Sequence, residues 1–153
     1  MVKRIKDLTS VLAGVSGEYF VAAELSRRGL IASITLRNTK GVDILASDAE
    51  ANSTVGIQVK SNRSSSPVWI LNEKAETYAK DGLFYVFVNL KDIDVRPDFY
   101  VVPSSVVAEH VARTHREWLE KPGRDGQAHN DNPVRNFRDR EGTYLERWEL
   151  IGL

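Results

Sequence analysis

The clearest alternation in the chain lies at residues 54–60, where Val55, Ile57 and Val59 alternate with Gly56, Gln58 and Lys60. A period of two predicts a strand with one apolar face. Just upstream, residues 42–46 are apolar except for Asp43, and the polar stretch 47–53 between the two segments reads as a turn. Together they predict an antiparallel hairpin. Folded symmetrically, the turn sets Asp48 opposite Ser53, and counting outward sets Asp43 opposite Gln58. Cross-strand partners share a face, with Cβ atoms roughly 5 Å apart. Lys60 lies two residues along on that face, and a slip of two residues keeps the three together whereas a slip of one does not. The pattern therefore gathers a carboxylate, an amide and an ammonium on a surface whose neighbours are Val, Ile and Leu. Burying charges there costs on the order of several kcal/mol each unless they are paired or metal-bound.

The other elements frame this hairpin. Residues 10–29 read as a helix, with Ser10 as N-cap and Gly29 as the stop. Val11, Val15, Ala22 and Leu25 recur at helical spacing, with Leu12, Tyr19 and Ala23 widening the stripe, and Arg27 and Arg28 fall in the last turn. Glu18 falls on the stripe, seven residues from both Val11 and Leu25; it is either a functional acid or a break in the stripe that reaches solvent. Residues 31–36 form a strand and 37–41 a polar turn. Residues 61–67 read as a loop next to the cluster, either a solvated linker or, through Arg63, Ser64 and Ser65, a contact for phosphates. A short strand at 68–71, a short helix at 73–80 and an almost unbroken apolar run at 83–90 follow. Such a run suits a central strand covered on both faces. Residues 99–102 form a further strand, stopped by Pro103. A helix runs from 104 or 105 to 119, with Val106, Val107, His110, Val111, Thr114 and Trp118 inward. Residues 120–136 are irregular, and 144–150 close the chain as a short helix, with Tyr144, Leu145 and Trp148 docked. The order predicts an α/β sandwich with a mixed sheet, one domain over 1–153 with an irregular C-terminal extension from about 120.

Composition narrows the functional classes. The chain has 153 residues, no formal net charge and no cysteine, which excludes disulfide and thiolate chemistry and leaves polyanion binding to a local patch. No apolar run spans a membrane, and the N-terminal MVKRIKDLTS lacks the apolar core of a secretion signal, so a cytoplasmic location is expected. His110 and His115 are five apart, on different helix faces, and do not form a zinc pair; His129 is expected to be solvated. No phosphate-binding glycine motif appears. Trp118 and Trp148 read as core residues, and the C-terminal basic residues as a mixed surface, with Arg135 and Arg138 as the subset that could contact phosphates.

A helix acid, a strand acid and an x-x-Lys tripeptide on the adjacent strand, here Glu18, Asp43 and Gln58-Val59-Lys60, resemble the pattern of the PD-(D/E)xK nuclease superfamily. The layout is closest to its small Holliday-junction-resolvase-like and restriction-like domains. The resemblance covers about residues 10–102 and includes the order of helix, three-strand meander, short helix and further strands. It implies a restriction-endonuclease-like sandwich and hydrolysis of DNA phosphodiesters with Mg2+ or Mn2+. The metal ligands implied are Asp43, Gln58, the Val59 backbone carbonyl and Glu18, with Lys60 positioning the attacking water. Small resolvase-like members act as dimers, and a chain this size offers little surface to embrace a duplex, so a homodimer is implied. Val42 stands where some members carry proline, and Gln58 stands in place of the usual second acid. The latter substitution leaves open an alternative, a catalytically inactive module of the same fold that binds nucleic acid or protein.

Overall fold

The computed structural model describes residues 1–36 and 41–153. The turn expected at 37–41 therefore falls, except for Gly41, outside the described residues. Helix α1 (Ser10–Arg27) is followed by β1 (Ile31–Ile34), β2 (Ile44–Ser47), β3 (Thr54–Asn62), β4 (Val68–Asn72), β5 (Leu83–Asn89), β6 (Asp98–Pro103), α2 (Ser104–Glu120) and β7 (Val134–Arg138). Five strands form a mixed sheet in the order β1-β2-β3-β5-β6, with β3 and β5 parallel and the other pairs antiparallel. The parallel pair follows from the connection through β4 and a single 3-10 turn at Glu73–Glu76, long enough to carry the chain over one face.

The β2–β3 hairpin keeps the register set by its turn: Ser47 faces Thr54 and Ile44 faces Ile57. Asp48 fixes that turn, its carboxylate accepting hydrogen bonds from the backbone N–H groups of Glu50, Asn52 and Ser53. β5 is buried at every position, as its apolar run requires of a strand covered on both sides.

Two cores flank the sheet. On one face α1 and the C-terminal 3-10 turn Trp148–Ile151 cover Ile44, Ile57, Val59, Val86, Val88 and Val101. On the other, α2 and the β4–β7 pair cover Tyr85, Phe87, Tyr100 and Val102. Phe87 stacks on Phe137 at 4.5 Å between ring centroids, and Trp69 donates its indole N–H to the Val88 carbonyl at 3.0 Å.

Several expectations are corrected. The region expected to be irregular contains β7, which pairs residue by residue with β4. The helix expected at 73–80 is reduced to the 3-10 turn. Thr9, not Ser10, caps α1, its hydroxyl accepting the Leu12 N–H. The buried face of α1 is Ala13, Gly17, Val21, Glu24 and Leu25, while Val11, Leu12 and Tyr19 are exposed. The reason is close approach: a β-carbon on Gly17 would overlap Ser61 Oγ, so the helix lies on β3 through its small residues. Trp118 is 37% exposed rather than in the core, whereas Trp148 is buried.

Candidate functional site

Asp43 is held through both its backbone and its carboxylate. Its backbone N–H donates to the Ile57 carbonyl at 2.8 Å and its carbonyl accepts from Thr35 N–H at 2.9 Å, so β3 and the residue just past β1 hold it from both sides. Its carboxylate Oδ2 accepts the Val59 N–H at 2.7 Å. This bond has a structural cause. Gly56 N–H bonds Gly82 on the β5 side, so the odd-numbered backbone groups of β3 face β2. The β2 ladder ends at the Ile44–Ile57 pair, but β3 continues to Asn62. Val59 N–H therefore lies beyond the ladder, and the Asp43 side chain takes the place of a strand carbonyl. The Val59 carbonyl, like its N–H, is on the β2 side of β3.

Gln58 and Lys60 point to the opposite face from Val59. They line a cavity of about 670 Å³ with Gly41, Asn72, Lys74, Tyr78 and Tyr85. Tyr78 joins the cavity to Asp43: its hydroxyl donates to the Gly41 carbonyl at 2.6 Å. Gly41 adopts φ +74°, and a β-carbon there would overlap the Tyr78 ring, so only glycine allows this approach. Burial raises the Tyr78 pKa above the usual phenol value, and the Asp43 charge raises it further. The phenol thus stays protonated and keeps donating. Burial pushes Tyr85 up to about 12, with a contribution from Tyr78.

Asp43, the Val59 backbone, Gln58 and Lys60 are therefore brought to one end of β3. Asp43 itself does not line the cavity, though its charge acts on Tyr78. Glu18 belongs to the other layer. It follows Gly17, which lies directly over Ser61, and is half-buried on the α1 side of the sheet. It does not line the cavity either.

The groups at this end of β3 include one carboxylate, one amide oxygen and one backbone carbonyl, donor types that a hard cation takes. The set is low in charge, because Gln58 is neutral. Among the described residues no three His, Asp or Glu gather into a metal-holding group.

Arg63, Ser64 and Ser65 form a separate feature. They line a second cavity of about 380 Å³ with Arg4, Lys6 and Lys91. The Arg63 guanidinium donates to the Leu8 carbonyl, and Ser64 Oγ donates to the Ser66 carbonyl at 3.2 Å. Arg135, expected as a phosphate contact, is buried and bonded to Glu76 and to the Asn132 and Val134 carbonyls, a structural role. Arg138 is exposed. His129 is not simply solvated: its ring stacks on Trp118 at 4.2 Å.

Sequence reasoning missed Tyr78, Tyr85, Asn72 and Lys74, which reach the site only through the β4–β5 crossover and carry no local signal. It also missed Glu24, the acid of α1 that is buried. Arg28 and Arg96 grip its carboxylate, Arg96 at 2.9 Å, and Arg96 and Glu146 bond in turn at 2.7 Å. Burial of Glu24 opposes ionisation, but the bonds from Arg96 and Arg28 outweigh it and hold its pKa at about 2.

No helix among the described residues is long and apolar enough to cross a membrane. No family model matches the chain, and no curated protein matches it in sequence. Among solved structures, the chain is similar to a bacterial homing endonuclease, I-Ssp6803I, at 16% identity and a TM-score of 0.56, over 94% of this chain and 91% of that one. The chain therefore shares its mixed α/β fold with an endonuclease.

Proposed function

We propose that the chain is a divalent-metal-dependent phosphodiesterase of the PD-(D/E)xK type acting on DNA, with its site at the open edge of β3. The observation that carries this reading is the Asp43 carboxylate held on Val59 N–H, with Gln58 and Lys60 next to it on the same strand. The shared fold with a homing endonuclease adds support.

Asp43, the Val59 carbonyl and Gln58 would hold a Mg2+ or Mn2+ ion, with Glu18 completing its surroundings from α1. Bound there, the ion would neutralise phosphate charge and lower the pKa of water. The backbone bonds of Asp43 to Thr35 and Ile57, with Val59 N–H on its carboxylate, keep the carboxylate fixed, so little reorganisation is needed. Lys60 orients the attacking water and stabilises charge on the phosphate. Arg63, Ser64 and Ser65, with Arg4 and Lys6 beside them, contact flanking phosphates. Gln58 favours one specific alternative, a module that binds nucleic acid or a protein without cutting, since an amide supplies no charge for the ion.

Titration calorimetry with Mn2+, followed by incubation with branched, duplex and single-stranded DNA, separates the two. The proposal expects saturable Mn2+ binding that Asp43→Asn abolishes, and cleavage of at least one substrate. DNA binding with neither metal uptake nor cleavage establishes the module instead.

A further inference from the structure

The cavity lined by Gln58 and Lys60 has a second wall, supplied by β4 and the 3-10 turn that follows it. From that turn Lys74 brings a second ammonium. Neither lysine side chain has a hydrogen-bond or ion-pair partner among the described residues. No carboxylate among the described residues lines the cavity. Of the two acids in the Lys74 turn, Glu76 is bonded to Arg135 and Glu73 is outside the lining. Two ammoniums gathered in one cavity without an acid repel each other, and an anionic ligand relieves that repulsion.

Much of the second wall is apolar. Ile70 stands in it, 74% exposed, beside the ring of Tyr78. That ring is rigid: its hydroxyl is tied to the Gly41 carbonyl, and it meets the Tyr85 ring at 86° with 6.4 Å between centroids. A duplex offers its phosphates and sugars outward and keeps its bases stacked and paired. It would use the lysines and leave the apolar wall bare. An unpaired nucleotide uses both, its phosphate between the ammoniums and its base on the aromatic and aliphatic surface. The volume of about 670 Å³ lies within the roughly 300–1,000 Å³ of cavities that hold organic ligands. Extruding a base from a duplex sacrifices pairing and stacking, whereas a single strand has no pairing to lose.

We infer that the cavity takes an unpaired nucleotide of a single-stranded DNA segment, its phosphate on Lys60 and Lys74 and its base against Tyr78 and Ile70. This rests on the Gln58–Lys60 cavity being part of a nucleic-acid site and names the form of DNA that the site accepts. It needs no metal ion.

Fluorescence anisotropy with a short labelled oligonucleotide tests it, the strand being presented alone or annealed to its complement as a blunt duplex. Excess chelator keeps metal chemistry out of the measurement. The single strand should bind at least about tenfold more tightly than the duplex. Lys74 is exposed, so Lys74→Ala should keep the wild-type circular dichroism spectrum. It should weaken single-strand binding by about tenfold. It should also make the log–log dependence of affinity on salt shallower by about 0.7, the share of one phosphate contact on a single strand. Lys74→Arg should restore both. Ile70→Ser, at an exposed position, should weaken the single strand and leave the duplex unchanged. No binding of either form, equal or tighter binding of the duplex, or a Lys74→Ala variant with unchanged affinity and salt slope overturns the inference. Metal-dependent cleavage of the blunt duplex alongside equal affinities would sink this inference and leave the phosphodiesterase standing. A Lys74-dependent preference for the single strand, with no cleavage when metal is restored, would do the reverse.

Discussion

Glu24→Gln probes the strongest electrostatic feature of the fold. Glu24 ties α1 to Arg96, in the β5–β6 connection, and through it to Glu146 near the C-terminus. Its pKa falls from 4.5 in the unfolded chain to about 2, which converts to about 3 kcal/mol at 1.36 kcal/mol per unit. That is an upper bound. Arg28 and Arg96 are 32% and 47% exposed in their side chains, so water screens both. Both arginines also keep Glu146 as a partner in the variant. The net cost should be about 1–2 kcal/mol. Because the folded pKa is depressed, this contribution is fully present above pH 4.5 and fades as pH falls from 4.5 towards 2. Urea unfolding of wild type and Glu24→Gln at pH 7 and again near pH 2.5 measures it, other titrating groups cancelling in the difference. Wild type should be more stable by about 1–2 kcal/mol at pH 7, with most of that difference gone at the lower pH. A difference that persists undiminished at low pH would assign the cost to packing and refute the electrostatic account.

Three further substitutions probe packing and the site. Ser61 Oγ is buried beneath Gly17 without a hydrogen-bond partner among the described residues, so Ser61→Ala should leave stability unchanged or raise it by about 1 kcal/mol, read by denaturant midpoint. Phe87 is fully buried between the rings of Tyr85 and Phe137, and Phe87→Ala should cost about 3–5 kcal/mol in the same assay. Gln58→Glu restores a second carboxylate beside Asp43 and should tighten Mn2+ binding by about tenfold in calorimetry, the equivalent of ~1.4 kcal/mol; unchanged affinity would place Gln58 outside the site.

The hairpin was legible because its information is local. Alternation in β3 fixes the face, and a short turn with an aspartate at its first position fixes the register, so Ile44 meets Ile57 as counted. The apolar run of β5 announced a strand buried on both sides for the same reason. The helix face was not legible, because α1 is apolar nearly all round and period alone does not say which stripe goes inward. Small residues decided it: Gly17 and Ala13 allow contact with β3 that Val11 and Tyr19 do not. β7 was hidden in a segment rich in turn-forming residues, and its partner β4 lies more than sixty residues earlier, beyond any local pattern. Of the candidate site, the strand residues could be read from spacing. The Asp43–Val59 bond arises where β2 stops short of β3, and the cavity walls Tyr78 and Tyr85 arrive by a crossover, neither of which spacing reports.

The central claim is that Asp43 and Lys60 together make a phosphodiester-cleaving site. Its most direct measurement is the rate of Mn2+-dependent cleavage of plasmid DNA by wild type, Asp43→Asn and Lys60→Ala, each first shown by circular dichroism to be folded. Wild type should cut, chelator should stop it, and each variant should lose at least about a hundredfold in rate, roughly the 2.7 kcal/mol of one stabilising group at a transition state. Folded variants that cut as fast as wild type, or cleavage that survives chelation, would contradict the account.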